Sequence, residues 1–142
     1  PTARLPELID ALEEALAESG VPVPFEPELR LDADLPAERL TMATVDALDL
    51  LQPFGIGNEQ PLLRIRDVGV RKYDVVGSDR SHLKLDLGLP GGVAKGIGFG
   101  MAHRSPELIH ARRIDIAATL KVDRWNGQRR LDVDIKDFRP AE

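Results

Sequence analysis

RIDIAATLKVDRWNGQRRLDVDIKDFRP, residues 113–140, holds two runs of alternating apolar and polar side chains that meet at a turn. Ile114, Ile116, Ala118, Leu120 and Val122 alternate with Asp115, Ala117, Thr119, Lys121 and Asp123. Successive side chains of a strand point to opposite faces, so the first set buries and the second meets solvent. Asn126-Gly127 is the strongest short-range hairpin signal in the chain, because both residue types accept the positive φ that a two-residue hairpin turn demands. Beyond it Leu131, Val133 and Ile135 supply the matching inward face. The stretch is a β-hairpin with one buried side.

The same period of two extends back to Pro61. Leu62–Val76 is long enough for one bent strand, with Gly69 as a candidate bulge. The turn Gly77-Ser78-Asp79-Arg80 leads into a second strand at His82–Leu87, where Leu83, Leu85 and Leu87 share one face and His82, Lys84 and Asp86 the other. A turn at Leu89–Gly92 precedes a glycine-rich third strand, Val93–Phe99, whose glycines suit bulges or a closely approached surface. Pro106 stands at a favourable first-turn position for a short helix over Pro106–His110. Five strands with a helix between the third and fourth is the element order of an OB-fold, a small Greek-key barrel. An SH3-like barrel or a β-sandwich fragment is the structural rival.

Ahead of the β region the pattern is helical. Leu5, Leu8, Ile9, Leu12 and Leu16 recur at helical spacing, predicting a helix over 5–19 that Gly20 ends. Prolines 22, 24 and 27 fix an extended connector. Leu29, Leu31, Ala33 and Leu35 alternate as one short strand, and Thr41 caps a second helix through Leu51. The expected fold class is therefore mainly β with N-terminal helices (α+β): residues 1–52 form an acidic helix, linker, strand and helix, 53–61 a PFGIGN turn, and 62–140 a five-stranded OB barrel.

Charge follows this division. Residues 1–50 hold three basic and twelve acidic side chains, net −9, whereas residues 51–142 hold sixteen and twelve, net +4. The whole-chain net charge of −5 thus hides a mildly cationic C-terminal portion, and the local field of one face decides whether a polyanion binds. With no cysteine, disulfides, thiolate zinc sites and cysteine nucleophiles are excluded, which suits a reducing cytoplasm. No run approaches the roughly 18 apolar residues of a spanning helix, so no membrane partner is expected. The three histidines are too scattered for a metal site, the serines show no nucleophile elbow, and Pro53–Asn58 lacks the lysine and the third glycine of phosphate-binding loops. No catalytic constellation and no cofactor site is expected.

Two basic clusters remain. The last hairpin presents Lys121, Arg124, Trp125, Arg129 and Arg130, one indole among four cations, which suits a phosphate backbone with one stacked base. The second runs through Arg64, Arg66, Arg71, Lys72 and Tyr73 and crosses the turn to Arg80, His82 and Lys84; Arg64, Arg66 and Lys72 could share a face. Together the clusters would bracket a groove. Read without function, the indole folds over the barrel end and the cations are solvated strand faces.

Four motifs occur in order: LDLLQPFGIGNEQP (48–61), VGSDRSHLKLDL (76–87), IGFG (97–100) and DRWNGQRRLDVDIKDFRP (123–140). As a set they resemble the C-terminal part of the RecJ family, single-stranded-DNA-specific 5′→3′ exonucleases of the DHH superfamily. Pro53, Phe54, Gly55, Gly57, Asn58 and Pro61 match the first family motif, His82, Leu83, Lys84 and Leu85 the second, and Trp125, Gly127, Asp137, Arg139 and Pro140 the last. Glu59 stands where the family often has proline, and Asp132 where it has a glutamine-like residue. Residues 1–35 resemble, more loosely, the trailing helix and strand of the family's DHHA1 domain.

The resemblance implies an OB domain that grips single-stranded DNA for a nuclease of DNA repair and recombination in the cytoplasm. It implies Mn²⁺ or Mg²⁺ in a catalytic DHH domain whose Asp/His clusters do not occur here. Trp125 would stack a base, with Lys121, Arg124, Arg129, Arg130, Arg71, Lys72, Arg80, His82 and Lys84 around the phosphates. The alternative is a docking module contacting the nuclease core in cis, a single-stranded DNA-binding protein or a helicase.

Overall fold

A computed structural model describes residues 4–20, 28–125 and 127–141, the side chain of Trp125 excepted. Its elements run α1 (Leu5–Glu18), β1 (Ala33–Pro36), a 3₁₀ turn (Ala37–Arg39), α2 (Met42–Asp49), β2 (Leu63–Val76), β3 (His82–Leu89), β4 (Gly92–Gly98), a 3₁₀ helix (Ala102–Leu108), β5 (Arg113–Trp125) and β6 (Gln128–Pro140). The sheet order β2-β3-β4-β6-β5 closes through a β2–β5 pairing. All pairs in that ring are antiparallel except β4–β6, which is parallel. This is the five-stranded Greek-key barrel of an OB-fold, and closure leaves its strands no free edge except where they outrun their neighbours. β1 adds a sixth strand, parallel to the first half of β2.

The interior is built from the expected inward positions. Leu83, Leu85 and Leu87 of β3 are fully buried, together with Ile65, Ile114, Ile116, Val133 and Ile135. The glycines of β4 belong to this core. A Cβ at Gly96 would lie 2.9 Å from Ile135 Cδ1 and 3.3 Å from Leu87 Cδ1, and one at Gly98 would lie 2.7 Å from Met101 Sδ. Neighbouring side chains fill the volume over β4, so its inward positions must be small.

Several local expectations change. The bulge of β2 is not at Gly69, which pairs in register with both Gly88 and Arg113; the register slips between Ile65 and Val68, where Asp67 adopts φ 57°, and again between Val70 and Lys72. The second slip turns Arg71 and Lys72 outward together, which alternation forbids. The helix between the third and fourth barrel strands begins four residues before Pro106 and is 3₁₀ in form, with Pro106 inside it and Leu108 buried in the core. Of residues 29–35 only the part from Ala33 is strand, and Leu29 and Leu31 stay exposed. Thr41 does cap α2, accepting from the Thr44 N–H at 3.3 Å, and Val45 carries that helix into the core. Among its described residues α1 buries none, and its apolar stripe Leu5, Leu8, Ile9, Leu12 and Leu16 faces outward.

Candidate nucleic-acid interface

The outward residues of the barrel strands fall into register rows. Lys72, Asp86, Lys95, Asp132 and Lys121 lie in one row across β2, β3, β4, β6 and β5. The signs alternate strand by strand, the arrangement that favours cross-strand pairs. Asp86 accepts from Lys95 Nζ at 2.6 Å, which holds its carboxyl below the ordinary aspartate value. The next row, Asp74, Lys84, Ile97, Asp134 and Thr119, is anchored by Asp134, whose side chain is 9% exposed. Burial pushes the Asp134 carboxyl up, but Lys136 at 2.9 Å and Lys121 at 3.1 Å outweigh it and the net shift is downward. Asp132 goes the other way: burial, reinforced by Asp123, raises it against the opposing pull of Lys121.

The sequence-derived site residues therefore divide. Lys121 is committed to Asp134, and Lys72 to Asp74 at 2.8 Å. Arg129 pairs with Asp46 of α2, which ties the β5–β6 hairpin to the helix, and Arg130 donates to Gln128 Oε1 at 2.7 Å. Arg71, Arg80, Lys84 and Arg124 form no ion pair among the described residues, nor does Arg130, whose partner is a neutral amide, and Lys84 acts on Asp86 only at a distance. The Arg71 side chain lies over Gly88, where a Cβ would meet its Nε at 3.0 Å. Arg80 sits at φ 53° in the β2–β3 turn. Arg64 and Arg66 do not join this surface: Asp34 of β1 takes both, Arg64 Nε at 2.6 Å and Arg66 at 3.9 Å. The side chain of Trp125 and residue Asn126 fall outside the described residues; Trp125 and Gln128 pair across the hairpin end, with Gly127 at φ 72°.

The two clusters stand at opposite ends of one outward face. Arg80, His82 and Lys84 mark the end at the β2–β3 turn, and the hairpin cations mark the other, six residues along the strands or about 20 Å away. Between them the balanced rows leave little net charge. Sequence reasoning missed Phe99. It is 57% exposed, and its ring meets His82 edge to face with centroids 5.1 Å apart. The signal was available: with Ala94, Gly96 and Gly98 inward, Val93, Lys95, Ile97 and Phe99 must face out. Among the described residues no cluster of three or more carboxylate or imidazole groups is placed to hold a metal ion. Nor is any described helix long and apolar enough to cross a membrane.

The fold accords with the known proteins to which the chain is similar. Residues 31–137 match the RecJ OB domain family, three quarters of the chain. The chain belongs to the RecJ OB domain family. It is 21% identical over 138 residues to the single-stranded-DNA-specific exonuclease RecJ of Bacillus subtilis (strain 168), covering 97% of this chain and 18% of that protein. The crystal structure of RecJ in complex with Mg²⁺ from Thermus thermophilus superposes with a TM-score of 0.67 at 25% identity, over 100% of this chain and 21% of that one. The Mn²⁺ complex from the same organism gives 0.64 at 23% identity, over 100% of this chain and 20% of that one. The chain thus spans about a fifth of the length of the RecJ proteins it matches. Within the RecJ OB motif ending in DFRP, the structure gives two residues a packing role: Asp137 pairs with Arg104 of the 3₁₀ helix, and Arg139 with Asp115 at 3.3 Å.

Proposed function

We propose that the chain is the single-stranded-DNA-binding module of a RecJ-like 5′→3′ exonuclease of DNA repair and recombination, positioning the strand for a nuclease core elsewhere in the same protein. The observation that carries this reading is the distribution of free cations on a RecJ OB barrel. Arg71, Arg80, Lys84 and Arg124 make no ion pair among the described residues, while Lys72, Lys95 and Lys121, in the row that crosses the middle of the face, are each paired with a carboxylate. A strand crossing such a face engages phosphates at its two ends and exposes bases to the middle, where rigid β-structure holds the register. Metal-dependent hydrolysis would belong to the core, and this chain would contribute orientation and discrimination against duplex.

The test is a fluorescence-anisotropy titration of labelled single-stranded and duplex oligonucleotides with the 142-residue chain over a range of salt. Four phosphates neutralised on a single strand give a slope of log K against log salt of about −3. Salt-dependent binding of the single strand that falls toward zero slope when Arg71, Arg80, Lys84 and Arg124 become alanine supports the reading; equal binding of duplex, or a slope those substitutions leave unchanged, contradicts it. A second reading, docking against the nuclease core, a single-stranded DNA-binding protein or a helicase, is favoured by the exposed apolar stripe of α1.

A further inference from the structure

We infer that Phe99, in the turn that follows β4, and His82, at the start of β3, form a single-nucleobase stacking subsite beside the β2–β3 turn. The inference rests on the single-stranded-DNA reading above and adds to it where one base sits. Three features single out the pair. The Phe99 ring is more than half exposed yet is braced from one side by the imidazole, at an interplanar angle of 72°. The brace is itself fixed: His82 Nδ1 accepts from the Gly100 N–H at 3.2 Å and lies 2.9 Å from Ser81 Oγ, which in turn is 2.8 Å from Asp79 Oδ1. The turn backbone also packs against the imidazole, since a Cβ at Gly77 would fall 3.2 Å from His82 Cδ2. An aromatic surface held in advance loses little conformational entropy when a planar ligand covers it.

The surroundings select the ligand. Arg80 in the turn and Lys84, which stands two residues from His82 on the same face of β3 and opposite Ile97, make no ion pair among the described residues and bring positive charge to the neighbourhood of the pair, as the phosphates of a stacked nucleotide require. A large apolar partner fits poorly, because Lys95 separates exposed Val93 from Phe99 and the intervening Ile97 is half-buried, so the apolar surface here is small. A base in a duplex cannot present its face to Phe99, so the subsite favours an unpaired nucleotide.

The experiment is a thermodynamic cycle. Labelled oligodeoxynucleotides of about 12 nucleotides, each with one abasic position moved along the strand, are titrated against the wild-type chain, Phe99→Ala and Phe99→Trp, with thermal melts confirming that each variant folds. Phe99→Ala is expected to weaken binding by about 5- to 100-fold, Phe99→Trp to retain it, and one abasic position to cost the wild type affinity that it does not cost Phe99→Ala. Phe99→Leu, which keeps apolar bulk without an aromatic face, repeats the test should the alanine variant not fold. Wild-type-like binding by both Phe99→Ala and Phe99→Leu, or an abasic penalty equal with and without the aromatic ring, overturns the subsite while leaving DNA binding intact. Failure of the wild type to bind any of the intact oligonucleotides overturns both proposals. Unchanged DNA affinity with a new loss of protein partners in the Phe99 variants assigns the ring to docking and also overturns the subsite.

Discussion

Arg104 touches four groups at once: the carboxylates of Glu107 and Asp137, the Phe138 carbonyl at 2.6 Å, and the Phe138 ring, 4.1 Å from guanidinium carbon to centroid. It fastens the 3₁₀ helix to the end of β6. Nothing in the spacing of its sequence neighbours marks it, since its partners on β6 lie 33 and 34 residues away. Removing it strands two carboxylates and a half-buried carbonyl, so Arg104→Ala is expected to destabilise the fold by about 1–3 kcal/mol, read as a lower urea midpoint. Its hydrogen bond holds Glu107 below the usual glutamate value. A depressed carboxyl stabilises the fold above its unfolded pKa and ceases to do so as pH falls through its folded one, so the wild-type advantage over Arg104→Ala should shrink on acidification below about pH 4. Asp132 has the opposite sign. Burial raises its pKa, so ionisation at neutral pH costs stability, and Asp132→Asn should raise the melting temperature at pH 7. That gain should vanish as pH falls through the ordinary aspartate range, where the carboxyl is protonated in both states; an acid-insensitive gain would contradict the assignment.

Among the strands and helices, alternation was enough to locate β3, β5 and β6, because each has one fully buried face and a one-residue slip would invert it. Thr41 as the cap of α2 was legible for a similarly local reason. What alternation could not supply were the two slips in β2, which depend on how that strand bends to pair with β1, β3 and β5 in turn. They decide which basic residues share a surface, placing Arg71 beside Lys72 and giving Arg64 and Arg66 to β1. The 3₁₀ helix began earlier than Pro106 implied, directly after Met101, whose side chain packs over Gly98. In β4 the missing side chains are as informative as those present. Gly96→Val would force branched carbon into space held by Ile135 and Leu87 and is expected to cost about 1–3 kcal/mol, checked by chemical denaturation; a neutral result would show that the core yields there.

Across the entire chain, the acidic N-terminal third and the basic barrel are not independent surfaces. Asp34 consumes Arg64 and Arg66, and Asp46 consumes Arg129, so acidic residues from before the barrel neutralise cations on its β1 side and at its hairpin. Among the candidate site cations this leaves Arg71, Arg80, Lys84, Arg124 and Arg130 outside any ion pair of the described residues, which net charge could not reveal. The family was legible from four ordered motifs, whereas the aromatic surface at Phe99 required the outward parity of β4 to be followed one residue past its end. All of this converges on one proposed role for the outward face of β3 and β4, bounded by the β2–β3 turn and the β5–β6 hairpin: it receives a single strand. Amide chemical-shift mapping of the 142-residue chain during titration with a short single-stranded oligonucleotide puts that role to the test residue by residue. Shifts concentrated at Arg80–Lys84, Lys95–Gly100 and the strand ends flanking Gly127 are predicted; shifts confined to α1 and α2, or none at low salt, would contradict it.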